Sequence, residues 1–346
     1  MQFKRLIFIL LQLLPFENTV LSSQKIDDHE NLILIKNEIA EIGILKNAGG
    51  RIVLYRRIGG ENILKTDENL WDYKFEKPLE ECVDMNIVPF NGHITWIGPQ
   101  SSWWVNQNIN KELRDNKSNW PPDPFLIYSK CEVIDQTATS ITLVNPVSPF
   151  SGIKLTKKIT LKDNGDVEIF SEIKNTRDTT IAADIWFNTR LDGKSKFFIP
   201  VKDNNNIRID RSNNSSKVIM ERIINGYYTF EYKNIEKIVE KVSAKAFIYP
   251  NRNKIFSFSN SELLTITFEH YLKDLVHPEQ AVVEVYNRYK PNGSSLLELE
   301  YHSPYTKLEP NETLNSTEYW SLTLYNGEDN IHSKLNFINQ YQNREK

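Results

Sequence analysis

The chain has 346 residues and a formal net charge of −3, with 42 Lys and Arg against 45 Asp and Glu. No long run of either sign breaks this balance, which argues against nucleic acid and anionic membrane surfaces as partners. Only two cysteines are present, Cys82 and Cys131. In an exported protein they could form one disulfide, but a chain this long builds its core without a staple, so two buried thiols fit as well.

In chain order, Met1 to Gln24 comes first, with a basic start (Lys4, Arg5), an apolar stretch from Leu6 to Phe16 and small residues at Ser22 and Ser23. It reads as a cleavable signal peptide over residues 1–23. An anchor helix is the alternative, but the apolar stretch is shorter than the roughly 20 residues a span needs, and Pro15 and Glu17 interrupt it. The expectation is a mature chain, 24–346, that is secreted or periplasmic, forms one domain and is not inserted in the membrane.

Period-two alternation then recurs, as in Val167, Ile169, Ser171, Ile173 and in Leu264, Ile266, Phe268. One apolar and one polar face per segment marks half-buried antiparallel strands. Further strands are expected at Asn31–Lys36, Arg51–Arg56, Ser140–Val144, Gly152–Leu161, Thr180–Leu191, Ala244–Tyr249, Lys254–Ser259, Ala281–Tyr289, Ser295–Tyr301 and Thr317–Tyr325. Turn clusters such as Lys162-Asp163-Asn164-Gly165 and Pro291-Asn292-Gly293 separate them. Ile331, Leu335, Phe337, Ile338 and Tyr341 suit one closing helix. The fold class is all-β, a sandwich or barrel, with no internal repeat of propeller or solenoid length. From Trp71 to Asp123 periodicity fails, and long irregular segments in compact domains are usually functional.

That segment carries Trp96, Trp103, Trp104 and Trp120 beside Asn91, His93, Gln100, Asn106 and Asp123. A pyranose packs its C–H face on an aromatic ring while carboxylates, amides and imidazoles bond its hydroxyls, so rings beside polar groups suit a sugar. The same rings could instead plug one end of a sandwich. Near the end, Leu297, Leu299 and Tyr301 alternate with Glu298, Glu300 and His302. Two carboxylates and an imidazole on one face can perturb each other's proton affinity and transfer protons, or can form a solvated face. Earlier in the chain, Asp184, Trp186, Asn188 and Arg190 share one face of their strand, which could line a cleft. His270 and His277 stand alone. No phosphate loop, metal-ligand spacing or nucleophile elbow is present, so no metal and no cofactor are expected.

Read in order, several motifs resemble the galactose mutarotase-like superfamily, in an uncharacterised branch of secreted bacterial proteins. They are Lys46-Asn47-Ala48-Gly49-Gly50-Arg51-Ile52, Asn91-Gly92-His93-Ile94-Thr95-Trp96-Ile97-Gly98-Pro99-Gln100, Trp120-Pro121-Pro122-Asp123-Pro124 and Trp186-Phe187-Asn188-Thr189. Leu297-Glu298-Leu299-Glu300, Leu308-Glu309-Pro310-Asn311-Glu312-Thr313 and Glu318-Tyr319-Trp320 complete the series. The resemblance implies a super-sandwich of two large antiparallel sheets with a carbohydrate, a hexose or oligosaccharide, on one of them. It also implies aldose 1-epimerase chemistry, in which a late-strand carboxylate takes the anomeric proton and a His protonates the ring oxygen. Glu300 matches that carboxylate, with Glu298 as fallback. The matching stretch for the acid, Asp184-Ile185-Trp186-Phe187-Asn188-Thr189, holds no His, which leaves His93 or His302. Trp96, Trp120, Asp123, Trp186, Asn188 and Arg190 are then expected to bind substrate. A non-catalytic carbohydrate-binding protein is the competing reading, and an envelope scaffold docking a partner on Trp103 and Trp104 is a third.

Overall fold

The computed structural model describes residues 29–344 except 76, 77, 80, 82–87, 212–217, 235, 236, 270 and 292–294. The expected leader, Cys82 and hence its pairing with Cys131, and His270 lie outside the described residues.

The strands of the described residues form two ten-stranded antiparallel sheets. With strands numbered in chain order, the first sheet runs β1 (Leu32–Lys36), β2 (Ala40–Leu45), β3 (Arg51–Arg57), β4 (His93–Gly98), β9 (Ile181–Asp192), β18 (Leu296–His302), β17 (Val283–Tyr289), β14 (Val242–Ile248) and β11 (Ile207–Arg211). A short strand, β19 (Thr306–Leu308), also pairs with β9. The second sheet runs β12 (Ile219–Ile224), β13 (Tyr227–Tyr232), β10 (Lys196–Pro200), β15 (Lys254–Ser259), β16 (Glu262–Phe268), β20 (Thr313–Leu324), β8 (Val167–Asn175), β7 (Ile153–Leu161), β6 (Ser140–Val144) and β5 (Glu132–Gln136). This is the super-sandwich implied by the motif resemblance. The expected closing helix is α3 (Ile331–Arg344), which packs Leu335 and Ile338 against Phe198, Phe256 and Phe258.

Strands with one wet face follow the sequence pattern: β7 and β8 alternate buried and accessible residues throughout. The central strands differ, because β4 is buried at every position and β9 is buried without interruption from Ala183 to Thr189. Strands covered on both faces lose the period-two contrast, so β4 passed as part of an irregular stretch. The irregular segment is therefore two connections, one on each side of β4. The second carries α1 (Lys111–Asp115) and α2 (Pro124–Tyr128).

Two glycine positions set the approach to β4 and α2. Gly49, at φ +69°, lets the chain run against α2, where an added Cβ would lie 2.6 Å from the Leu126 carbonyl oxygen. Gly92, at φ +66°, starts β4 so close to β3 that a Cβ would sit 2.2 Å from the Ile52 carbonyl oxygen. A Gly92→Ala variant is expected to lose more than ~2 kcal/mol in urea unfolding, from left-handed strain plus backbone collision. A loss below half of that would show that β4 can shift at little cost.

Candidate functional site

Register decides which side chains meet. In the first sheet, Trp186 stands opposite both Trp96 and His302, Asn188 opposite Glu300, Arg190 opposite Glu298, and Glu284 opposite Glu300. Directly opposed residues share a face. That face points away from the second sheet, because the alternate residues reach across the interior. Tyr301 meets Ser316 of β20 and stacks on Phe268 of β16, and the Thr95 hydroxyl lies 3.1 Å from that of Ser171.

The outward face carries a chain of charges. Lys245 sits 2.6 Å from Glu284 and 3.1 Å from Glu300, and the Trp186 indole N–H donates to Glu300 Oε2 at 3.0 Å. His302 lies 3.3 Å from Asp184 through Nδ1 and 3.6 Å from Glu284 through Nε2, with the Gln280 amide 2.9 Å from Nδ1. Arg190 pairs with Glu298 at 2.7 Å. Glu300 and His302 are 1% and 0% exposed, so burial has a large effect on their protonation. Burial opposes charge on Glu284, yet the nearby Lys245 and His302 hold its carboxyl down near 2. Burial acts the same way on Glu300, which lies farther from Lys245 and beside two other carboxylates, and the result is a carboxyl pushed up to about 7. Burial disfavours the imidazolium, but Glu284 and Asp184 outweigh it and raise His302 to about 9. In Glu298, burial is outweighed by Arg190, and the carboxyl is lowered. The face thus sets a carboxyl raised above its usual range, Glu300, beside an imidazole raised above its own, His302, a pair suited to act as base and acid.

Glu284, Glu300 and His302 each offer a ligand atom within 4.8 Å of the other two, a spacing that a metal ion could span. The cation that these carboxylates meet is the Lys245 ammonium, which does not favour a second positive charge there.

Aromatic rings continue the site. Trp186 lies 4.8 Å from His302 and 4.9 Å from Trp96, and Trp103 stacks on Trp186 at 6.0 Å. Trp120 closes the group, 6.3 Å from Trp96 and 6.5 Å from Trp103, and its ring is half-exposed. Arg190 lies over the Trp96 ring and Lys245 over that of Trp186. Among the described residues, several buried neutral polar atoms on this face have no hydrogen-bond partner: Trp96 Nε1, both amide atoms of Asn188 and Gln280 Oε1. Such atoms are costly unless something satisfies them, and clustered neutral donors and acceptors suit a ligand rich in hydroxyls.

Eight of the ten residues expected from sequence therefore share this face: Glu298, Glu300, His302, Trp96, Trp120, Trp186, Asn188 and Arg190. Two are corrected. His93 belongs to the inner face of β4, where Nδ1 lies 3.0 Å from the Thr189 hydroxyl and 4.0 Å from Glu318, so it cannot reach Glu300. Asp123 is a structural cap: it accepts from the Phe125 amide at the start of α2 and from the hydroxyls of Ser148 and Ser151. Trp103 and Trp104 are buried, which removes the scaffold reading's docking surface. Lys245, Glu284 and Gln280 were missed. The signal for the first two was present, as a lone Lys between alanines in β14 and a lone Glu between valines in β17, each a charge inside an apolar run.

No curated protein sequence matches the chain. Among solved structures, the Slr1438 protein of Synechocystis sp. PCC 6803 is similar at 13% identity and TM-score 0.52, covering 85% of this chain and 96% of that one. A TPR-domain-containing protein from Parabacteroides distasonis is similar at 12% identity and TM-score 0.50, over 84% of this chain and 47% of that one. A galactose mutarotase-like protein from Clostridium acetobutylicum is similar at 10% identity and TM-score 0.48, over 85% of this chain and 95% of that one. At such identities the likeness is one of fold. The family model described as a domain of unknown function, DUF4380, matches residues 31–323, most of the chain, and the protein belongs to that family.

Proposed function

We propose that this is a secreted or periplasmic carbohydrate-active protein that interconverts sugar anomers on the outward face of the first sheet, with Glu300 as base and His302 as acid. The observation that carries the reading is the close pairing of these two groups beside tryptophan rings and unsatisfied neutral polar atoms. Carboxylate Glu300 takes the proton of the anomeric hydroxyl while the ring C–O bond breaks, and the His302 imidazolium protonates the ring oxygen from Nε2. Rotation of the freed aldehyde and the reverse transfers close the ring in the other configuration. Both reacting oxygens sit on one carbon, which suits acid and base tips this close. Of the two histidines left open for the acid, His302 takes the role, and Lys245 must yield its place on Glu300 to let a sugar in.

A second reading, non-catalytic carbohydrate binding, is favoured by one observation: Glu300 and His302 are almost wholly buried and already paired. Polarimetry across a panel of aldoses separates the two. The catalytic reading expects anomer relaxation faster than in buffer, slowed ~100-fold or more by Glu300→Gln, as loss of a general base dictates. Relaxation no faster than buffer with any sugar sinks it, and sugar binding that persists in that case supports the second reading.

A further inference from the structure

The half-exposed ring of Trp120 is held in an unusual way for a surface tryptophan. Its neighbours pin the backbone on both sides: the Gln100 amide donates to the Asn119 carbonyl at 3.4 Å, and the Trp104 indole donates to the Pro121 carbonyl at 2.8 Å. Its ring meets Trp96 near perpendicular at 6.3 Å and Trp103 at a tilt at 6.5 Å, while half of the residue stays exposed. Trp96 and Trp186 separate it from His302 and Glu300. Trp120 is therefore not part of the shell around the buried acid and base. It is a second aromatic surface, displaced from the first along the same face. Next to Trp96, the Arg190–Glu298 pair is partly open, 12% and 13% exposed at the side chains, and offers charged partners for hydroxyls between the two places.

A single pyranose at Glu300 cannot also cover Trp120 with two indole rings between them. We propose that the ligand is an oligosaccharide, with one end unit at Glu300 and His302 and a further unit stacked on Trp120. The inference rests on the carbohydrate reading above and adds the size of the ligand. For an anomer-converting site the buried unit is the reducing end, since only that unit has a free anomeric hydroxyl. The rest of the chain leaves across Trp96 to the exposed ring. The preorganised platform explains why an apolar surface is kept wet: a sugar face covers it without the cost of ordering a loop.

Calorimetric titration tests this with glucose, galactose and mannose set against cello-, malto- and manno-oligosaccharides of two to four units. At least one oligosaccharide series is expected to bind roughly tenfold tighter than its own monosaccharide. Trp120→Ala is expected to bring that ratio to about one, and Trp120→Phe, which keeps a ring, to retain most of it. Oligosaccharides no tighter than monosaccharides, or a ratio unchanged in Trp120→Ala, overturn the inference while leaving the carbohydrate reading standing. Absence of binding by every sugar of both lengths overturns the carbohydrate reading and this inference with it.

Discussion

Lys245→Met is expected to cost ~3–5 kcal/mol of stability, measured by urea unfolding at neutral pH, because it strips the ammonium from two carboxylates that water cannot reach. Glu284 and Glu300 are 1% exposed, and Lys245 is the cation that lies against both. The methionine restores most of the volume, so the loss reads out uncompensated charge and not a cavity. A second substitution, Glu284→Gln, removes one stranded carboxylate and is expected to recover more than half of the loss. Glu284 also supports His302, so recovery stays incomplete. A loss below ~1 kcal/mol for Lys245→Met would mean that water or a rearranged His302 neutralises the pair, and that the charge chain is not fixed by packing.

Glu318→Gln is expected to act in the opposite direction, raising stability by ~2–4 kcal/mol at pH 8 and by progressively less toward pH 5. Glu318 lies between the sheets with its carboxyl raised to about 8 by burial, an effect only partly offset by the hydrogen bond from the Trp320 indole. Its neighbour His93 is held well below its usual range by burial and by Lys157, Arg51 and Arg190, so no imidazolium compensates the carboxylate. The folded state keeps the Glu318 proton where the unfolded chain has released it. Stability therefore falls as pH rises from the ordinary carboxyl range through about 8. Glutamine mimics the neutral acid, can accept from the same indole and does not titrate. Denaturant midpoints for both proteins between pH 5 and pH 9 should converge at the acid end and diverge at the alkaline end. Parallel curves would show that Glu318 is ionised and solvated in the folded protein.

The half-wet strands were legible because their alternation has a direct physical cause. β7 and β8 show it, while in β18 and β9, buried on both faces, Glu298, Glu300, His302, Trp186, Asn188 and Arg190 were placed on one face by the alternation of residue types and not by a wet face. Which faces meet was not legible. The pairing of β14, β17 and β18 sets Lys245 beside Glu284 and Glu300, and register between segments so distant in the chain leaves no local mark. His93 failed for a different reason: every residue of β4 is buried, so its parity could not be read from hydrophobicity. Asp123 could have been read correctly, since Asp followed by Pro is a helix-start signature and outweighs a polar residue's nearness to tryptophans.

Strand β9 serves two compartments at once. Asp184, Trp186, Asn188 and Arg190 equip the outward face, while Ile185, Phe187 and Thr189 fill the space between the layers, Phe187 against His93 and Tyr301. Neither parity is spare. Any substitution from 184 to 190 therefore changes either the outward face or the packing between the two sheets. The sheet margins carry no such double duty, as in β5, where every side chain is exposed to solvent.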